Sequence, residues 1–276
     1  MNLVVQGPRL QRADVEAIAA MAKSTVIEPI NANAFRLRDA RKDEAIAAYC
    51  EARNTDYGWV PEGRRFEDLK LLAMDMDSTL ITIECIDELG ELAGKKAEIA
   101  AITAQAMRGE IEYPQSLRKR VRALAGLDEK SLTQVYDERL RFTLGAEALV
   151  ENCKRHGVKL LLVSGGFTFF TERLKERLGL DYTISNRLEI ENGRLTGRVL
   201  GDIVDADAKA AKFRAVLREL GARKEQSVAI GDGANDLKMM AEAGLSIAFR
   251  AKPVVRAQAD CALTHSGLDG VVHLFE

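Results

Sequence analysis

Short apolar runs alternate with amphipathic segments from residue 69 to the end of the chain. Four runs have the length and composition of buried strands, at residues 69–74, 159–163, 226–230 and 246–249. Between them, apolar residues recur at helical spacing over residues 168–178, 208–220 and 234–243. Buried strands that alternate with helices are typical of an α/β fold with a doubly wound, Rossmann-like parallel sheet, and we predict that fold for residues 69–276.

Two insertions interrupt this alternation. Residues 83–141 carry apolar residues at helical spacing and predict a helical cap, which would lie over the carboxyl edge of the sheet like a lid. Residues 187–199 alternate around Asn192-Gly193, a pattern that indicates a β-hairpin.

Residues 1–68 form a separate compositional unit. Their pattern predicts the order βαββαβ, with Asp14 as the N-cap of the first helix and residues 61–65 as a linker. This order is ferredoxin-like and resembles that of small ACT-like modules that bind amino acids, so an amino-acid sensor is one hypothesis for this region.

Composition excludes several classes of function. The 276 residues carry a formal net charge of -2, which gives no overall electrostatic attraction for nucleic acid. The four cysteines form no regular framework, and no apolar run has the length of a membrane span, so we expect a cytoplasmic protein with reduced thiols. The sequence leaves open whether the protein forms a homodimer.

Asp75 and Asp77 follow the first strand of the predicted sheet. Strand periodicity predicts that both carboxylates point the same way, at the sheet edge where ligands bind in open α/β folds. Two adjacent carboxylates in an apolar setting repel each other unless a cation joins them or one is protonated. The spacing therefore predicts a metal, although an aspartate at a strand end is also a common turn former.

Polar groups also follow two other strands of the predicted sheet. Ser164-Gly165-Gly166 offers a hydroxyl and free backbone N–H groups before a helix, which suits a phosphate. The segment 231–236 adds Asp232 and Asp236, whose hard oxygen ligands suit Mg²⁺ shared with a phosphate. Lys209 stands near a helix start, where the macrodipole disfavours a cation unless an anion lies nearby. Helix capping, an ordinary Gly-rich turn and a solvated lysine remain the structural alternatives.

Together these groups meet the requirements of phosphoryl transfer. In this interpretation Asp75 attacks phosphorus, and Asp77 protonates the leaving oxygen and then deprotonates water. Mg²⁺ bridges Asp75, Asp232 and the phosphate, whose oxygens are held by Ser164, Gly165 and Lys209.

These four motifs resemble those of the haloacid dehalogenase superfamily of phosphatases, and within it the phosphoserine phosphatase branch. The resemblance covers residues 69–275 and implies hydrolysis of O-phospho-L-serine, the last step of serine biosynthesis. It also implies that the main-chain carbonyl of Asp77 binds Mg²⁺ and that Asp236 supports the metal site. The substrate contacts it implies are Glu84, Arg120, Ser164, Gly165, Lys209 and Asn235. Glu84 and Arg120 would match the ammonium and carboxylate of phosphoserine.

Three alternatives remain open at this stage. A phosphotransferase, or a phosphatase of another small phosphorylated metabolite, would use the same motifs. A phospho-accepting signalling domain would use Asp75 alone and would need neither Asp77 nor a lid. If residues 1–68 carry the main function, the protein would act as an amino-acid sensor.

Overall fold

The computed structural model describes all residues from Met1 to Glu276. One sheet of eleven strands runs through the protein in the order β2-β3-β1-β4-β11-β10-β9-β5-β6-β7-β8. The strands are β1 (Asn2–Gln6), β2 (Val26–Asn31), β3 (Ala34–Arg38), β4 (Asp56–Val60), β5 (Leu71–Asp75), β6 (Lys159–Phe167), β7 (Tyr182–Glu191), β8 (Arg194–Leu200), β9 (Ser227–Gly231), β10 (Leu245–Phe249) and β11 (Cys261–Leu263).

The helices cover both faces of the sheet and form the insertion after β5. They are α1 (Arg12–Met21), α2 (Glu44–Ala52), α3 (Cys85–Leu92), α4 (Lys96–Met107), α5 (Tyr113–Ala123), α6 (Lys130–Gln134), α7 (Ala146–Arg155), α8 (Thr168–Leu178), α9 (Ala206–Glu219), α10 (Leu237–Glu242) and α11 (Pro253–Arg256). Shorter 3₁₀ segments include Ala234–Asp236 and Leu268–Leu274. None of these helices is both long enough and apolar enough to cross a bilayer.

Strands β11, β10, β9, β5, β6 and β7 pair in parallel, as expected for an α/β core. Alternate residues of β5 belong to different cores, because Leu72 and Met74 pack in one apolar cluster and Leu71 and Ala73 in another. The second cluster includes Phe213 of α9 and other apolar residues of α9, α10 and α11. Because helices cover both faces of the sheet, the strands are buried on both sides and consist of continuous apolar runs.

The first four strands form an antiparallel unit with its own apolar core. Its order is β2-β3-β1-β4, and α1 and α2 pack on one face through Val15, Ile18 and Ile46. The helix α1 begins earlier than predicted, because Gln11 and not Asp14 is the N-cap. Asp14 lies at the third helical position, where its Oδ2 accepts a hydrogen bond from the Gln11 N–H at 3.3 Å.

The two parts of the chain contribute strands to one sheet, and the segment 61–65 between them contains no helix or strand. Strand β4 pairs antiparallel with β11, with Gly58 opposite Cys261. A Cβ on Gly58 would stand 2.9 Å from both the Cys261 Sγ and a methyl group of Leu274, so this strand approach requires glycine. Asp56 continues the junction by accepting hydrogen bonds from the backbone N–H groups after β11.

Candidate active site

The carboxyl ends of β5, β6 and β9 open into a cavity of about 530 Å³, which α4 and α5 cover from above. Seven of the ten predicted site residues line it: Asp75, Asp77, Glu84, Arg120, Gly165, Asp232 and Asn235. The other three, Ser164, Lys209 and Asp236, are each fully buried behind its wall. Parallel strands thus bring together residues that lie up to 161 positions apart in the sequence.

Lys209 forms the buried centre of the polar network. Its Nζ donates to Asp75 Oδ1 at 2.5 Å and to Asp236 Oδ1 at 2.7 Å. Burial opposes the charge of the lysine, but the two carboxylates outweigh it and raise the Lys209 pKa. Burial also raises the pKa of Asp75, an effect that Lys209 opposes. The anion that the sequence required near this cation is therefore Asp75 together with Asp236.

Asp77 lies in a tight turn and not in the strand. Strand β5 ends at Asp75, and the turn Met76–Leu80 contains Ser78 at φ 57°, in the left-handed region. The expectation of strand alternation through Asp77 is therefore wrong, although both carboxylates line the cavity. Asp77 Oδ1 accepts from the Cys85 N–H at 3.0 Å, while burial and the nearby charge of Glu84 raise the Asp77 pKa to about 7.

Three carboxylates offer a donor set for a cation. Oxygen atoms of Asp75, Asp232 and Asp236 lie within 4.8 Å of one another. The Thr79 hydroxyl donates to Asp232 Oδ1 at 3.1 Å, and burial with the charge of Asp236 raises the Asp232 pKa to about 6. A cluster of hard oxygen ligands whose members disfavour each other's charge fits a divalent ion such as Mg²⁺.

The segment Ser164-Gly165-Gly166 forms a compact loop beside Asp77. Ser164 Oγ accepts from the Gly166 N–H at 2.8 Å. A Cβ on Gly166 would lie 2.9 Å from Asp77 Oδ2, and one on Gly165 would lie 2.2 Å from the Tyr113 hydroxyl. Both glycines are therefore required by close packing around the cavity.

The insertion after β5 places a carboxylate and a guanidinium on the opposite wall of the cavity. Glu84 precedes α3 and accepts a hydrogen bond from Ser78 Oγ at 2.7 Å. Arg120 lies on the face of α5 that lines the cavity, and its buried Nε has no hydrogen-bond partner. A buried guanidinium N–H without a partner is costly, so this wall fits an anion.

Three residues near the site were not assigned a role from the sequence. Tyr113 lies two helical turns before Arg120, and its hydroxyl donates to the Gly165 carbonyl at 3.3 Å. Helical spacing from Arg120 could have identified it. Thr79 lies two residues after Asp77, but its bond to Asp232 joins the turn after β5 to the residue after β9, and the sequence does not show that these two strands are neighbours. Asn186 lies on β7, a strand that the apolar pattern did not predict at Tyr182–Asn186.

Comparison with known proteins places the chain in a family. A model of haloacid dehalogenase-like hydrolases matches residues 72–241. The phosphoserine phosphatase of Albidiferax ferrireducens is 53% identical over 217 residues, which cover 77% of this chain and 92% of that protein. The chain belongs to the phosphoserine phosphatases of this hydrolase family. Residues 3–46 match a separate model that describes a domain of unknown function.

Solved structures agree with this assignment. A probable phosphoserine phosphatase from Vibrio cholerae is 38% identical, with a TM-score of 0.86 over 99% of this chain and 85% of that one. A substrate-bound phosphoserine phosphatase complex is also 38% identical, with a TM-score of 0.71 over 75% of this chain and 99% of that one. The Vibrio structure therefore covers both parts of the sheet, whereas the second covers about three quarters of this chain.

Proposed function

We propose that this phosphoserine phosphatase family member hydrolyses O-phospho-L-serine to L-serine and inorganic phosphate in the cytoplasm, with Mg²⁺ as its cofactor. The observation that carries the proposal is the cavity itself. It joins a carboxylate cluster and a Gly-rich loop on one side to Glu84 and Arg120 on the other. A phosphate and an amino-acid head group are the two ends of the proposed substrate.

Asp75 is the proposed nucleophile. Its carboxylate oxygen attacks phosphorus and forms an aspartyl phosphate, while the bond from phosphorus to the serine oxygen breaks. Asp77 gives its proton to that leaving oxygen, which a carboxyl with a pKa of about 7 can do near neutral pH. The resulting Asp77 carboxylate then takes a proton from the water that hydrolyses the aspartyl phosphate, which returns both residues to their starting states.

Mg²⁺ would be held by Asp75, the main-chain carbonyl of Asp77, and Asp232, with Asp236 as support. When bound, it neutralises charge on the carboxylates and on the phosphate. Lys209 already contacts Asp75 and Asp236, so its buried charge lies beside the carboxylate of the proposed nucleophile. Ser164, Gly165 and Lys209 are the proposed contacts to the phosphate oxygens, and Asn235 is a further proposed contact to the substrate.

The cap is the proposed origin of substrate selectivity. Glu84 would accept hydrogen bonds from the ammonium group of the substrate, and Arg120 would donate to its carboxylate. Residues 1–68 are proposed to be a ferredoxin-like, ACT-like unit, which the antiparallel order β2-β3-β1-β4 supports. The division into residues 1–68 and 69–276 is part of the proposal. A separate apolar cluster between Leu3 and Cys50 supports it, although Val4, Val60 and Phe66 pack in the larger cluster.

The proposal is tested by phosphate release from a panel of phosphorylated metabolites, with Mg²⁺ and with EDTA. We expect O-phospho-L-serine to give the highest kcat/KM and EDTA to abolish turnover. Asp75→Asn is the control for a contaminating phosphatase and should be inactive. A better substrate without an amino-acid head group, or transfer of phosphate to another alcohol in place of water, would contradict the proposal.

A further inference from the structure

The pairing of β6 with β7 is interrupted at the Gly-rich loop. Val163 pairs with Ile184 and Phe167 with Asn186, so that Ser164, Gly165 and Gly166 on β6 stand opposite the single residue Ser185 on β7. Two extra residues on one strand lift the loop out of the ladder toward the cavity. The backbone groups of the loop therefore need partners other than the neighbouring strand.

The side chain of Asn186 supplies that partner. Its Nδ2 donates to the Gly165 carbonyl at 2.8 Å, and its Oδ1 accepts from the Val204 N–H at 2.8 Å. The residue is only 1% exposed. An amide that uses both its donor and its acceptor in a buried site holds the two backbone segments at a fixed separation.

Val204 leads directly into the helix that carries Lys209. Asp205 is the N-cap of α9, where its Oδ1 accepts from the Ala208 N–H at 2.9 Å and its carbonyl from the Lys209 N–H at 2.9 Å. Lys209 in turn reaches Asp75. Asn186 thus connects the Gly-rich loop to the start of α9, and these are two elements proposed to hold the phosphate.

We propose that Asn186 is a positioning residue, which fixes the separation between the phosphate loop at Gly165 and the start of the helix that carries Lys209. Its amide is bonded to the Gly165 carbonyl and the Val204 N–H, and the residue does not line the cavity. This inference rests on the proposed phosphatase function. A displacement of about 1 Å in such an element can lower the rate by about 100-fold.

A purely structural role makes a different prediction. Loss of a buried hydrogen-bonding side chain would then lower stability and leave phosphate binding unchanged. Ser185, the neighbouring residue on β7, provides a matched control, because its Oγ lies 2.7 Å from the Oγ1 of the buried Thr171 and is not hydrogen-bonded to the loop. Ser185→Ala removes a polar contact of the same strand without touching the connection from Gly165 to Val204.

The experiment compares wild type, Asn186→Ala, Asn186→Ser and Ser185→Ala. It measures the Kd of inorganic phosphate by calorimetry in Mg²⁺, kcat and KM for O-phospho-L-serine, and Tm. We expect Asn186→Ala to raise the phosphate Kd and to lower kcat/KM by about 10-fold to 100-fold, with a smaller change of the same direction for Asn186→Ser. Ser185→Ala should lower Tm and leave the phosphate Kd and kcat/KM within about twofold of the wild-type values.

Two results would overturn the role of Asn186. In the first, Tm falls in both Asn186 variants as it does in Ser185→Ala, while their phosphate Kd and kcat/KM stay at wild-type values. The other is failure of both Asn186 variants to fold while Ser185→Ala folds, since the residue would then serve the fold as a whole. If wild type binds phosphate but does not hydrolyse phosphoserine, the proposed function is contradicted. The phosphate Kd values of the variants then still test the positioning role of Asn186.

Discussion

Lys209 shows how a single residue can be costly to bury and still be retained. Its ammonium group is completely buried, and only the carboxylates of Asp75 and Asp236 balance the lost hydration. The same arrangement places a positive charge beside the proposed nucleophile. A conflict with the helix dipole was visible in the sequence, but its resolution required knowing which strand ends are neighbours.

Arg120 gives the sharpest prediction for a single side chain. Arg120→Lys keeps the charge but loses the planar pair of donors, so we expect kcat/KM for O-phospho-L-serine to fall by about 10-fold to 100-fold. Phosphoethanolamine has no carboxylate, and its kcat/KM should change little. The comparison of both substrates by phosphate release tests the assignment.

Arg118→Lys is the matched control for this variant. Arg118 lies on the exposed side of the same helix, and its substitution should affect neither substrate. If Arg120→Lys lowers kcat/KM equally for both substrates, Arg120 supports the cap and does not bind the substrate carboxylate.

Secondary-structure elements were predictable where their apolar pattern was long. The helix α8 has the predicted bounds, and the strands β5, β6, β9 and β10 lie within one to four residues of the predicted ones. The short strand β11 and the first half of β7 were missed, because their apolar runs are short and their stability comes from neighbouring strands. The turn at Met76–Leu80 was missed because Ser78 adopts a conformation that its residue type disfavours.

The junction of β4 and β11 allows a prediction about one element. Asp56 accepts hydrogen bonds from the N–H groups of Thr264, His265 and Ser266 at 2.8, 2.9 and 2.7 Å. Asp56→Ala would leave these three donors, of which the Ser266 N–H is buried, without their acceptor, so we expect the free energy of unfolding to fall by about 3 kcal/mol. Urea denaturation measures this change.

Asp56→Asn serves as the comparison at this position. It keeps one acceptor oxygen, and its loss of stability should be smaller than that of Asp56→Ala. Equal and negligible changes in the two variants would show that the hydrogen bonds at the junction do not contribute to the stability of the folded chain.

At the scale of the whole molecule, the sequence pattern predicted two units but not their common sheet. The pairing of Gly58 with Cys261 joins strands some 200 residues apart, and no local pattern reports such a contact. The site was more predictable than this junction, since its residues follow recognisable strands and match a family motif. The buried links through Asn186 and Thr79 depend on tertiary contacts and had no local signal.

His273 couples the stability of the whole molecule to pH. Its Nδ1 lies 2.7 Å from Gln6 Oε1 and its Nε2 lies 2.9 Å from Asn31 Nδ2, so the neutral ring can donate to one and accept from the other. Burial lowers the His273 pKa below 6.5. The unfolded chain then binds the proton more readily than the folded chain, and the resulting stability is present above about pH 6.5 and lost as pH falls.

The corresponding measurement is Tm for wild type and His273→Gln between pH 8 and pH 5. We expect the Tm of the wild type to fall further than that of the variant as the pH is lowered over this range. His156→Gln, at the exposed end of α7, is the control and should follow the wild type. Parallel curves for wild type and His273→Gln would contradict the contribution of His273.

The most direct test of the whole account is to find the phosphate on the protein. Acid quench within the first turnovers with ³²P-labelled O-phospho-L-serine should trap a phosphate that is labile to hydroxylamine, on the peptide that contains Asp75. Asp77→Asn should slow its release, because Asp77 takes the proton from the attacking water. Turnover without a labelled protein, or a label on any other residue, would contradict the proposed roles of Asp75 and Asp77.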